Sequence, residues 1–296
     1  MRSRLSAVIP VALLASASWS PAASGQPYEP PAPASLDDSG PTPAFSLLDR
    51  TSGESKIHVG FGYTFFDEDN GLLGNDLSSQ RVDVHGQYVD PVTGFGGYGV
   101  LTYGRISAND VSEDALGNIE IGGLYQLRGE VPVTLRAGLA LETADDEDAL
   151  IVAFSGFHRL GDILVNNPDT TTLRFAASPI LRQGQTFFRI DAGLDVPLSD
   201  SDTFDVDALG RLNFGLGIDL GQAALQAELI NLIALGDLGG DDDLSDRLIH
   251  LVGLGGRFTG HPVIQPGLTI AIPVDEDFRD FVQFILLFNA EIVLPH

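Results

Sequence analysis

Two residues apart on one stretch, Asp83 and His85 are the side chains best placed for acid–base work, with His58 able to join them from a preceding stretch. An Asp/His pair in contact is the unit from which a general base is built. No Ser or second carboxylate falls at a matching position, so the pair reads first as one more ionic contact of a wall. Two imidazoles are weak grounds for a metal site. His250 lies on an apolar stripe and reads as interfacial. The acidic run Asp241, Asp242 and Asp243 is a weak metal candidate, because alternate ligands, a central Gly and a terminal Glu are all missing. No HExxH, GxSxG or phosphate-cradling Gly-rich loop occurs, and the sequence points to no catalytic residues, no enzyme and no cofactor. The stronger functional candidates are arginines. Arg81, Arg136, Arg174, Arg189 and Arg211 each fall on a polar alternate position, as do Asp83, His85, Asp191, Asp195 and Glu228. Paired, they line a charge-balanced passage; unpaired, they mark a site for anions or carboxylates.

The elements that must position them have period two. In the last stretch, Phe281 to Leu294, the positions Val282, Phe284, Leu286, Phe288, Ala290, Ile292 and Leu294 are all apolar. The alternate positions, including Gln283, Asn289 and Glu291, mix polar and apolar types. Successive strand side chains point to opposite faces, so one face is a continuous apolar stripe. Lys56–Phe66, Gln80–Val89, Asn118–Arg128, Val131–Glu142, Phe188–Val196 and Val206–Leu220 repeat the pattern. Gly94–Ile106, Thr172–Leu181, Ala223–Ile233, Leu248–Phe258 and Val263–Val274 are compatible with it. About twelve strands of roughly ten residues suit a tilted crossing of a bilayer. The polar faces carry both charges in mid-strand, which fits a water-containing lumen better than the outer face of a soluble sandwich.

The connections alternate as well. Links after odd strands are acidic: Asp67 to Asp69, Asn109 to Asp114, Asp145 to Asp148, Asp200 to Asp205, Asp241 to Asp243 and Asp275 to Asp277. Links after even strands are short: Asp90–Gly94, Gly129–Glu130, Gln183–Gln185, Gly221 and Gly260–His261. Long acidic loops on one rim and tight turns on the other are the barrel pattern, with the short turns periplasmic. The expected fold is therefore all-β, a transmembrane antiparallel up-and-down barrel of about 12 strands. One stretch, Ala149–Val165, fits three readings: a hairpin that makes the count 14, an amphipathic helix using Leu150, Ile151, Phe154, Phe157, His158 and Leu164, or an element folded into the lumen. Twelve strands with an inserted element is the preferred count.

Bulk properties agree. The formal charge of −25 over 296 residues disfavours nucleic acid, and the chain has no Cys for disulfides or thiolate chemistry. Hydrophobic residues make up 44%, yet no run reaches the length of a membrane helix, leaving strands to cross. Arg2 and Arg4, an apolar run from Leu5 to Ala17 and small residues through Ser24 read as a signal peptide, residues 1–23. Residues 24–55, with Pro27, Pro30, Pro31, Pro33, Pro41 and Pro43, read as a solvated periplasmic linker. Residues 56–296 form the barrel.

Ala223 to Pro295 resembles the outer-membrane channel family associated with phenol-degradation pathways. The resemblance lies in an AELI strand (Ala227–Ile230), an acidic loop, a strand ending LGGRF (Leu254–Phe258), a strand closing on IPVDED (Ile272–Asp277) and a final strand. LALETADD (Leu139–Asp146) sits where that family places a strand end and acidic turn. The insertion at Ala149–Asn167 and the ending Pro295-His296, where such barrels finish on an aromatic residue, depart from it. The resemblance implies an outer-membrane channel of a Gram-negative bacterium for passive passage of small solutes, often aromatic or hydrophobic. A non-conducting barrel with a structural, lipid-modifying or proteolytic role is the alternative. Expected partners are outer-membrane lipid and lipopolysaccharide, reached through divalent cations on the acidic rim, the barrel assembly machinery and a small-molecule solute.

Overall fold

The computed structural model describes residues 45–66, 77–109, 111–167, 170–199, 206–236 and 248–294. Thirteen strands form one antiparallel sheet that closes on itself. They are β1 (Lys56–Phe66), β2 (Ser78–Val89), β3 (Phe95–Ala108), β4 (Val111–Leu116), β5 (Ile119–Leu127), β6 (Val133–Leu141) and β7 (Thr172–Gln183), then β8 (Thr186–Pro197), β9 (Ala208–Asp219), β10 (Ala223–Leu235), β11 (Leu248–Phe258), β12 (Ile264–Pro273) and β13 (Val282–Val293). β4 and β5 pair end to end along β3, Tyr103–Ala108 with the first and Phe95–Val100 with the second, so they occupy one place in the wall. The result is a closed twelve-strand barrel. The seam is β1 against β13, from Lys56↔Val293 to Phe65↔Phe284. No described helix is long and apolar enough to cross a membrane.

The alternation read from the sequence sets the two faces. On β2, Ser79, Arg81, Asp83, His85 and Gln87 are buried, while Val84 and Tyr88 point out. Phe288 is 51% exposed and Phe284 and Ile292 are not buried, so the stripe on β13 faces outward as a lipid-facing surface must. Turn chemistry fixes the short-link rim. Gln183 pairs with Thr186 across a two-residue turn, and Gly184 takes φ 61 at its first position, the left-handed geometry that a hairpin of this length favours.

Three expectations are corrected. Val282 is fully buried rather than on the lipid stripe, because a bulge between Phe65 and Phe66 shifts the register of β13 by one residue there. Asn109–Asp114 is no long loop: Asn109 (φ 53) starts a tight turn, and Val111–Leu116 runs back along β3 as β4. Exposed cross-strand bonds, Tyr103 to Asp114 and Arg105 to Ser112, hold those acidic residues extended. The Ala149–Val165 stretch is helical: α1 (Asp146–Ser155) followed by a 3-10 segment (Phe157–Asn166). Of the expected face, His158 and Leu164 are buried, but the α1 part differs. Phe154 is exposed, whereas Ala149, Val152, Ala153 and Ser155 are buried. The small face wins because α1 lies on β3 and β4, where Gly104 lets the helix close in; a Cβ there would stand 2.8 Å from the Val152 Cα. The acids Asp146, Glu147 and Asp148 occupy the first turn of α1, complementing its N-terminal dipole.

Residues 45–55 lie inside the barrel, although they belong to the stretch that reads as a solvated linker. Phe45 packs edge-on against Phe187 at 5.5 Å, and residues 45–52 are all buried.

Candidate functional site: a braced lumen

The barrel interior divides by wall. Along β2 and β5–β9 the inward side chains are ionic. Toward the long-link end of β9–β13 they are apolar: Leu209, Ile230, Leu232, Leu251, Val282 and Ile285 are buried in one cluster. A uniformly polar lumen was expected. The apolar half exists because Leu160 and Leu164 of the 3-10 segment pack against it, removing both surfaces from water.

All ten expected lumen residues are buried. Arg81 Nε donates to Asp83 at 2.8 Å, and Arg189 Nε to Asp191 at 2.8 Å. Arg174 and Arg211 share Asp195, at 3.1 and 2.7 Å. Arg136 meets Glu120 at 3.2 Å, and Glu120 also takes a bond from Tyr98 Oη at 2.6 Å and a close contact from Arg174. Asp83 and His85 do not form the acid–base pair that their spacing would allow. His85 Nε2 faces Gln87 at 3.0 Å instead. His58 stands opposite His85 in register but lies 3.6 Å from Glu291, which is held by Lys56 at 2.7 Å. Glu228 serves the chain's own backbone. It accepts the backbone N–H groups of Ser46, Leu47 and Leu48 at 3.0, 2.7 and 3.0 Å. His250, at the rim, bonds Asp275 at 2.8 Å. Asp241, Asp242 and Asp243 lie outside the described residues, and among those described no cluster of metal-binding side chains occurs.

Two segments bridge these walls: residues 45–55, which sequence reasoning missed, and the insert, for which an element folded into the lumen is one of the three readings. From residues 45–55, Asp49 reaches Arg136 at 2.9 Å, its N–H donates to Asp191 at 2.8 Å, and Arg50 reaches Asp83 at 3.3 Å. From the insert, Asp162 reaches Arg174 at 2.9 Å and His158 reaches Asp83 at 3.3 Å. The segments also hold each other. Arg159 donates to the carbonyls of Leu47 and Leu48 at 2.9 and 2.8 Å while gripping Asp162 at 2.8 Å. Burial pushes the Asp49 carboxyl upward, but Arg136, Arg211 and Arg189 outweigh it and hold the acid well below the usual carboxylate range. Burial pushes the His158 imidazole down to about 4 against the pull of Asp83. Buried charges are tolerated only when paired and hydrogen-bonded, and here the walls supply opposite charges to Asp49, Arg50, His158 and Asp162 of the bridging segments.

The crystal structure of an outer membrane channel from Pseudomonas putida F1 is similar to this chain, with a TM-score of 0.60 at 12% sequence identity, over 87% of this chain and 100% of that one. A NanC porin has a TM-score of 0.49 at 7% identity, over 81% of this chain and 100% of its own. A KdgM porin has 0.47 at 6%, over 80% and 99%. No protein-family model matches the sequence, and no curated protein matches it. At these identities the likeness shows the fold: this chain has the fold of a bacterial outer-membrane β-barrel.

Proposed function

We propose that the protein is a channel for passive passage of small solutes across the outer membrane of a Gram-negative bacterium. Within that reading, small aromatic or hydrophobic compounds are the proposed solutes, in keeping with the resemblance of Ala223–Pro295 to the phenol-degradation channel family. The observation that carries the proposal is a lumen that is ionic along β2 and β5–β9 and apolar toward the long-link end of β9–β13, filled by two segments of the chain itself. Such filling is removable. Passage then requires residues 45–55 and the insert to leave their seats. The wall charges Arg81, Asp83, His85, Arg136, Arg174, Arg189, Asp191, Asp195, Arg211 and Glu228 would set selectivity once exposed. A non-enzymatic role is supported by the engagement of Asp83 with Arg81 and Arg50 instead of His85.

The proposal extends to the segments around the barrel: residues 1–23 as a signal peptide, an acidic rim bridged by divalent cations to lipopolysaccharide, and insertion by the barrel assembly machinery. Planar-bilayer recordings test the central claim. Discrete conductance steps are expected, larger and more frequent when residues 45–50 are deleted. Persistent silence of both proteins would turn the reading to a non-conducting barrel.

A further inference from the structure

Most wall arginines have their terminal nitrogens occupied. Arg174 divides Nη1 and Nη2 among Glu120, Asp162 and Asp195, while Arg136 bonds Glu120 through Nη1 and holds Asp49 at 2.9 Å from Nη2 as an ion pair without hydrogen-bond geometry. Arg81 differs. Only its Nε is bonded, to Asp83 Oδ1, while Nη1 and Nη2 are buried with no hydrogen-bond partner among the described residues. Arg50 meets the other oxygen of the same carboxylate through Nη2, and its Nε and Nη1 are likewise buried and without a partner. Asp83 thus serves both guanidinium groups, Asp162 stands 3.7 Å from Arg50 Nη2 as a second acid, and four of the guanidinium nitrogens have no hydrogen-bond partner among the described residues. A buried charged donor left unpaired is strongly unfavourable, and a planar guanidinium fork fits a carboxylate with two parallel bonds.

The surroundings add an apolar side. Gly156 lies against Arg81 Nη1, where a Cβ would collide. The next residue, Phe157, places its ring 5.6 Å from Phe66 and from Phe281 and 5.8 Å from Phe278. We propose that Arg81 and Arg50 form an anion site for a small monocarboxylate whose apolar body packs toward the Phe66–Phe157–Phe281 cluster. The bound carboxylate takes the free guanidinium donors and completes the charge pairing around Asp83. This names the solute class for the passage proposed above and rests on that reading.

Fluorobenzoate, observed by fluorine NMR with the full-length folded barrel in detergent at fixed ionic strength, tests the site. Protein-free micelles set the baseline. Saturable line broadening is expected, absent for fluorobenzyl alcohol. Arg81→Gln should weaken binding about tenfold or more, whereas Arg105→Gln, on the exposed β3–β4 hairpin, should leave it unchanged. Should Arg81→Gln lose its heat-modifiable folded band, Arg50→Gln, outside the wall, reads the same loss. Absence of saturable binding, unchanged affinity in a folded Arg81→Gln or Arg50→Gln protein, or displacement by an equal concentration of chloride overturns the assignment; the last would make it a site for inorganic anions. A barrel that conducts but fails to bind fluorobenzoate loses the carboxylate site alone. A silent barrel that binds it loses the channel reading alone.

Discussion

Asp83 shows how a residue can be placed correctly and partnered wrongly. Its inward direction follows from the alternation of β2, and so does that of Arg81. Its other contacts do not, because Arg50 and His158 arrive from segments with no strand period. His158 carries a prediction at this scale. Its imidazole is held down to about 4 by burial, below the roughly 6.5 of a free histidine. The released insert therefore binds more protons than the docked one between those values, and docking weakens as pH falls through that window. The open probability in bilayers should rise on acidification from neutral pH toward about 4, and His158→Gln should remove that part of the response. Asp83, Arg81 and Arg159 are the charged groups that face His158. A pH profile identical in the variant would mean that another group controls it.

At the scale of elements, strands were legible and their contents were not. β13 is legible from its two-residue alternation, down to its polar positions at Asn289 and Glu291. The bulge opposite Phe65 and Phe66, which turns Val282 inward, depends on pairing between residues more than two hundred apart and leaves no mark in either strand. β4 was hidden by its acids, which disfavour strands unless a neighbour pairs with them. Residues 45–55 carry no periodicity because their order comes from a distant carboxylate, Glu228, that caps three successive N–H groups. The direction of α1 was likewise settled by a glycine on the wall and not by its own large side chains. Gly104→Val places branched carbons where Val152 and Ser155 now sit and should lift α1 off β3. Limited proteolysis of the reconstituted protein should then cut within residues 146–155, where the parent chain resists. Equal resistance would show that the wall yields and the helix does not.

For the whole molecule, the bases are gathered inside. Among the described residues, buried acids and bases nearly balance, and the charged residues that are not buried are mostly acids. The belt itself is a bilayer solvent surface, and its cost of disruption depends on depth. Phe288→Arg, on the outward face of the closing strand, should destabilise the barrel by about 2–4 kcal/mol if it sits at the midplane, falling toward the interfaces. Reversible urea unfolding in lipid vesicles measures it; a change near zero would place that position at a headgroup.

Residue 55 continues without a break into β1 at the seam, so the occluding peptide is a ligand on a leash. Eleven residues extend to at most about 40 Å, enough to hang free of its seat yet never to diffuse away. A short flexible tether keeps its cargo at an effective concentration in the millimolar range. Occlusion should thus be indifferent to dilution of the protein and respond only to what presents itself at the mouth.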